Sequence, residues 1–126
     1  MSSQAIGIFD SGIGGLTIAH AIKQKLPNEN IIYFGDTKHL PYGEKSNEAI
    51  KHYSLKIAEF LKENNCKVIV IACNSASSVA YEFIKSNIGL IPIYNVIDPI
   101  IKNLSNKNYS NKKIGVIGTK ATIKSN

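Results

Sequence analysis

The stretch VIVIACNSAS, residues 68–77, joins an unbroken run of aliphatic residues to a cysteine and a cluster of small polar residues. The aliphatic run predicts a strand over 67–72 with both faces covered, as in the parallel sheets of α/β proteins. Asn74 or Ser75 is suited to cap a helix that follows this strand. The stretch therefore places the thiol of Cys73 where a buried strand ends and a helix begins.

The rest of the chain repeats this alternation of apolar and amphipathic segments. The predicted strands are AIGIF (5–9), IIYFG (31–35), KVIVIA (67–72), IPIYN (91–95) and KKIGVIG (112–118), and the predicted helices cover about 15–26, 47–64, 76–87, 97–105 and the residues from 119 onward. This order predicts a doubly wound parallel sheet flanked by helices, in one domain over residues 1–126. The first and fifth strands look alike, IGIFDSG and IGVIGTK, but two copies do not make a repeat array.

The composition favours a cytoplasmic protein without a nucleic-acid or membrane partner. The net charge is +6, but all fifteen basic residues are lysine and they are scattered along the chain. Nucleic-acid surfaces instead cluster their basic residues and often read bases with arginine. No apolar run approaches the roughly 20 residues of a membrane span. The first residues lack the basic and apolar regions of a signal peptide.

The cysteine pattern predicts neither a disulfide framework nor a metal site. Cys66 and Cys73 lie seven residues apart, without a Cys-x-x-Cys motif, and the histidines do not fall at ligand spacing with them. Cys66 precedes the third predicted strand, at the edge of the sheet opposite Cys73. We therefore expect a structural role for Cys66 and no bound metal.

Polar side chains follow the predicted strands at the point where each strand ends. They are Asp10 and Ser11 after the first strand, Asp36 and Thr37 after the second, Cys73, Asn74 and Ser75 after the third, and Thr119 after the fifth. A structural role would explain each of these residues taken alone, because Asp and Ser are common helix caps and a cysteine beside a strand is often a small core residue. The carboxyl ends of parallel strands share one edge, however, where open sheets bind ligands. The set therefore predicts a functional site.

A thiol at a helix N-terminus lies at the positive end of the helix dipole, which favours the thiolate. A thiolate is a good base or nucleophile, so Cys73 is the candidate reactive group. The absence of arginine rules out a bidentate guanidinium clamp on a bound carboxylate or phosphate. Such an anion would have to be held by backbone N–H groups, hydroxyls, amides or lysine.

The loop DSGIGG (10–15) leaves a second function open. It nearly fits a dinucleotide-binding fingerprint, with Thr17 in place of the third glycine and Asp36 at about the distance of a ribose contact. That interpretation leaves Cys73 unexplained and puts the carboxylate of Asp10 beside a pyrophosphate. A nucleotide-binding module of Rossmann type is therefore the alternative function.

Four stretches together resemble the successive motifs of bacterial glutamate racemases. They are IGIFDSGIGGLT (6–17), YFGDTKHLPYGEKS (33–46), VIVIACNSAS (68–77) and IGVIGTKAT (114–122). The resemblance implies an isomerase that interconverts L- and D-glutamate without a cofactor and supplies D-glutamate for peptidoglycan, and so for cell-wall biogenesis and cell shape. It also implies two pseudo-symmetric α/β domains, each with one cysteine. One thiolate removes the Cα proton while the other thiol returns a proton to the opposite face.

The resemblance assigns a role to each residue of the predicted site. Cys73 is one of the two acid/base thiols, and Asp10 contacts the substrate ammonium or assists its cysteine. The substrate-binding residues are Ser11, Asp36, Tyr42, Gly43, Asn74, Ser75, Thr119 and Thr122. In such enzymes the Tyr42–Gly43 loop holds the side-chain carboxylate through backbone N–H groups, and the amide and hydroxyls surround the α-carboxylate.

Two features depart from the pattern of that family. Ser75 stands where threonine is usual, which keeps the hydroxyl. The other half of such an enzyme, with its Cys-Thr-His motif, is absent from this chain. We expect the chain alone to lack racemase activity, and an exposed edge or apolar face to make it associate, as a homodimer or with another partner. A non-catalytic remnant that acts as a binding domain is a further alternative.

Overall fold

A computed structural model describes residues 3–125 of the chain. The strands are β1 (Ala5–Asp10), β2 (Ile31–Gly35), β3 (Cys66–Ile71) and β4 (Ile93–Asn95); the helices are α1 (Leu16–Lys25), α2 (Asn47–Glu63), α3 (Asn74–Asn87), α4 (Asp98–Ser105) and α5 (Lys120–Lys124), with a 3-10 turn at Tyr42–Glu44. The four strands are parallel in the order β2-β1-β3-β4. This arrangement confirms the predicted parallel α/β sheet; Asn126, at the end of the predicted last helix, lies outside the described residues.

Both faces of the sheet are covered, as the unbroken apolar strands predict. Side chains alternate between the faces of a strand, so neighbouring residues of β1 pack in different layers. Phe9 and Ile71 belong to a core cluster with residues of α2 and α3. Ile8 belongs to a second cluster with Ala19 of α1. Helices α2 and α3 therefore cover one face of the sheet, and α1 covers the other.

The predicted fifth strand is wrong. Residues 112–118 pair with no strand, and Ile117 is fully exposed. The end of this segment lies at the middle of the sheet, because Thr119 contacts Ser75, which follows β3, and packs against Gly43. A strand beside β4 would instead end beyond the outer edge. Apolar character alone does not form a strand, since the backbone groups need a neighbour.

The predicted cap of α3 is also wrong by one residue. We expected Asn74 or Ser75, but Asn74 begins the helix and Cys73 is the N-cap, with Sγ accepting a hydrogen bond from the N–H of Ala76 at 3.4 Å. Only Ala72 separates β3 from Cys73, so the chain turns into the helix earlier than cap preferences indicate. The sulfur thus occupies the place of a capping oxygen.

Apolar side chains are exposed in the last third of the chain. No residue of α4 is buried, although Ile100, Ile101 and Leu104 recur at helical spacing. Ile114 and Val116 are also more than half exposed. None of the helices described between residues 3 and 125 has the length and apolarity needed to cross a membrane. Exposed apolar side chains of this kind are suited to contact with another polypeptide.

Candidate active site

A cleft of about 820 Å³ opens at the carboxyl edge of the sheet, between α1, the end of β3 and the start of α4. Six of the predicted site residues line it: Asp10, Ser11, Cys73, Asn74, Ser75 and Thr119. They come from three separate stretches of the sequence. The parallel topology therefore brings a carboxylate, a thiol, an amide and two hydroxyls to one cavity, and Thr119 adds a third hydroxyl beside Ser75.

The glycine loop surrounds the carboxylate of Asp10. Asp10 is 7% exposed, and its Oδ2 accepts hydrogen bonds from the N–H groups of Gly12 at 3.3 Å and Gly15 at 3.0 Å. The start of α1 also favours a negative charge at this position. The N–H groups that would hold a phosphate in a nucleotide-binding loop are thus engaged by the protein's own carboxylate. This arrangement disfavours the nucleotide-binding alternative.

Cys73 connects the loop after β1 to the start of α3. Its side chain is buried, and its thiol donates to the hydroxyl of Ser11, with 3.6 Å between Sγ and Oγ. The same sulfur accepts the N–H of Ala76. Cys73 and Asp10 line the same cleft. The thiol and the carboxylate thus belong to one candidate site.

Thr119 ties a distant segment to the site. Its Oγ1 lies 2.8 Å from Oγ of Ser75, and it accepts the N–H of Thr122 at 3.3 Å as the cap of α5. A Cβ on Gly43 would lie 2.5 Å from Cβ of Thr119, so the two residues are in close contact. Thr122 lines a neighbouring groove with Ser77 rather than the main cleft.

Asp36 and Tyr42 lie beside the cleft rather than in it. The carboxylate of Asp36 accepts the hydroxyl of Tyr42 at 2.5 Å and lies 2.8 Å from Nδ1 of His39. The His39 ring stacks on Tyr53, with 4.0 Å between ring centroids. Burial and the bond to Asp36 raise the pKa of Tyr42. Asp36, Tyr42 and Gly43 do not line the cleft.

Two residues near the site were not predicted. Asn95 lines the cleft at the end of β4, where its Oδ1 accepts the N–H groups of Ile97 and Asp98. The rule that polar residues follow strand ends would have found it. Tyr33 donates to the carbonyl of Gly12 at 3.0 Å. Its position inside an apolar strand gives no sequence signal that separates it from a core aromatic residue.

The hydroxyl of Tyr33 makes stability depend on pH in the alkaline range. Burial, then the charges of Asp10 and Cys73, raises the pKa of Tyr33 from 10.0 to about 12. Because the folded-state pKa is the higher one, stability is unaffected below pH 10 and falls as pH rises from 10 to about 12. We expect Tyr33→Phe to make this fall shallower in urea unfolding measured over that range. Equal slopes in the two proteins would contradict the assignment.

Cys66 lies at the opposite edge of the sheet, where β3 begins. It is buried against Leu61 and Gly7. A Cβ added to Gly7 would lie 3.0 Å from the Cys66 sulfur. Burial raises the pKa of the Cys66 thiol. Its position fits the structural role expected from the sequence. Within residues 3–125, no cluster of three or more His, Cys, Asp and Glu side chains could hold a metal ion.

The chain is similar in sequence and in structure to known glutamate racemases. The chain is 50% identical over 120 residues to the glutamate racemase of Aquifex pyrophilus, a match that spans 95% of the chain and 46% of that relative. The structure of the Aquifex pyrophilus enzyme superposes with a TM-score of 0.89 at 49% identity, over 97% of this chain and 48% of that one. The Francisella tularensis glutamate racemase, solved in complex with D-glutamate, gives a TM-score of 0.90 at 42% identity, over 99% and 46%.

The fold is thus that of an α/β racemase domain. A family model described as Asp/Glu/Hydantoin racemase matches residues 16–126. The chain belongs to the Asp/Glu/hydantoin racemase family. It spans about half the length of the glutamate racemases that it matches.

Proposed function

We propose that this chain supplies one half of the active site of a glutamate racemase, with Cys73 as one of its two acid/base thiols. The observation that carries the proposal is the shared cleft of Cys73 and Asp10. The proton on an amino-acid Cα is weakly acidic, so its base must be close, desolvated and oriented. A buried sulfur fixed by Ser11 and the start of α3 meets these requirements.

The other residues of the cleft suit an amino acid as ligand. Asp10 offers negative charge to the substrate ammonium. Asn74, Ser75 and Thr119 offer an amide and hydroxyls to the α-carboxylate, near the positive end of the α3 dipole. This arrangement binds an anion without arginine. The Tyr42–Gly43 turn, held by Asp36, is assigned to the side-chain carboxylate of glutamate through its backbone.

The second thiol is assigned to another α/β half, equivalent to the part of the relatives that this chain does not match. Residues 114–118 have no strand partner and resemble β1 in sequence, so we assign them to the first strand of that half. The exposed apolar residues of α4 and of this segment form the contact surface, and a homodimer through this surface is the other possible assembly. The complete enzyme would act in the cytoplasm, without a cofactor, and supply D-glutamate for peptidoglycan.

Two measurements test this proposal: which ligands the chain binds, and whether the isolated chain racemises glutamate. In a titration followed by NMR or thermal shift, we expect saturable effects from glutamate and none from NAD or ATP. In a coupled assay for D-glutamate, we expect no turnover by the isolated chain, because the cleft holds one thiol. A response to nucleotides alone would favour the Rossmann-type module, and turnover would contradict the need for a second half.

A further inference from the structure

Tyr33 reaches the glycine loop from the middle of β2. Its ring packs against the cluster that contains Ile8 and Ala19. Its hydroxyl donates to the carbonyl of Gly12, while the N–H of Gly12 donates to Asp10. Both backbone groups of Gly12 are therefore hydrogen-bonded: its carbonyl oxygen accepts from Tyr33, and its N–H donates to the carboxylate of Asp10.

The space around this contact is filled. A Cβ on Gly15 would lie 3.0 Å from the Tyr33 hydroxyl oxygen, and a Cβ on Gly35 would lie 2.5 Å from the Gly12 carbonyl and 3.4 Å from the Tyr33 ring. The loop, the tyrosine and the end of β2 are thus in direct contact. Close packing and the hydrogen bond from Tyr33 together hold the loop against the end of β2.

We propose that Tyr33 is a positioning residue for Asp10: it holds the Gly12 carbonyl, and through it the loop, so that the N–H groups of Gly12 and Gly15 point at the carboxylate. Tyr33 is not among the residues that line the cleft, so it acts through the loop and not on a bound substrate. The importance of Asp10 for substrate rests on the proposed function, whereas the positioning itself does not.

The hydroxyl remains a donor at neutral pH, since the pKa of Tyr33 is raised to about 12. The effect also extends to the thiol. Ser11 lies in the same loop and accepts the thiol of Cys73. Release of the Gly12 carbonyl would therefore alter the surroundings of both Asp10 and Cys73.

Tyr33→Phe in the full chain tests the inference, with Tyr109→Phe as the matched control. We expect the amide proton resonances of Gly12 and Gly15 to move upfield, as their bonds to Asp10 lengthen. We expect their hydrogen exchange to accelerate by about tenfold, with Ile69 in β3 unchanged. We also expect the rate of Cys73 alkylation by iodoacetamide, relative to that of Cys66, to change at least about threefold.

Resonances, exchange and alkylation equal to those of the unsubstituted chain would overturn the inference. Loss of cooperative unfolding in Tyr33→Phe would also overturn it, because the hydroxyl would then serve the fold as a whole. Accelerated exchange spread evenly over β1, β2 and β3 would have the same meaning. None of these measurements uses glutamate, so a failed glutamate titration would count against the proposed function alone.

Discussion

Replacement of Cys73 by alanine is expected to abolish racemisation in an enzyme that contains both halves. A suitable protein joins this chain to the complementary half of the Aquifex pyrophilus glutamate racemase, to which the chain is 50% identical. Alanine removes the group that takes or returns the Cα proton, together with the sulfur that accepts the N–H of Ala76 at the start of α3. General acid/base groups contribute roughly 10²- to 10⁴-fold, so we expect kcat to fall by about 10²- to 10⁴-fold.

Cys66→Ala is the matched control for that substitution. It removes an equally buried thiol from the opposite edge of the sheet. We expect kcat to stay within about twofold, with a loss of about 1–2 kcal/mol in unfolding free energy from the small cavity. Steady-state racemisation of the three hybrids, followed by circular dichroism of glutamate, makes the comparison. Equal losses from the two substitutions would contradict the assignment of Cys73.

Gly15→Ala is expected to give the largest loss of stability among single-methyl additions to the loop. The added Cβ would lie 2.7 Å from Cβ of Asp10 and 2.9 Å from Cβ of Ala72. The backbone of Gly15 is in the right-handed helical region, which alanine prefers, so the cost is steric and does not come from the dihedral angles. Overpacking of this kind costs about 1–3 kcal/mol.

Gly115→Ala is the control, since a Cβ there meets nothing within 4 Å. Urea unfolding of the two variants measures the difference in free energy. We expect Gly115→Ala to lie within about 0.5 kcal/mol of the unsubstituted chain. In Gly15→Ala the displaced loop should also weaken the Gly15 hydrogen bond to Asp10. Equal stability of the two variants would contradict this prediction, because the loop would then accommodate a methyl group on Gly15.

The sequence predicted those parts of the fold that depend on local pattern. The aliphatic run that forms β3 and the polar residues at strand ends led directly to the sheet and its carboxyl edge. Residues 112–118 have the same apolar character, but a strand also needs a partner, and pattern carries no information about one. The cap at Cys73 was missed because cap preferences rank side chains and ignore how soon the chain must turn.

The candidate site also contains residues that the strand pattern predicts and residues whose positions depend on tertiary contacts. Asp10, Cys73 and Ser75 were predicted to lie together because each follows a strand, and the ends of parallel strands share one edge of the sheet. The direction of the Asp36 carboxylate depends on Tyr42 and His39, which come later in a loop without a regular period. A tertiary hydrogen bond such as that of Tyr33 to Gly12 joins residues 21 positions apart and leaves no mark in either segment.

Alkylation of Cys73 in the presence of glutamate tests most directly whether this sulfur faces a bound amino acid. Iodoacetamide labelling of the chain, resolved by peptide for Cys73 and Cys66, is followed with increasing glutamate, and with lysine at equal concentrations as the control. The shared cleft predicts that glutamate slows labelling of Cys73 saturably, while lysine has no such effect and Cys66 hardly reacts. A Cys73 as inert as Cys66, or one that glutamate does not protect, would contradict the assignment.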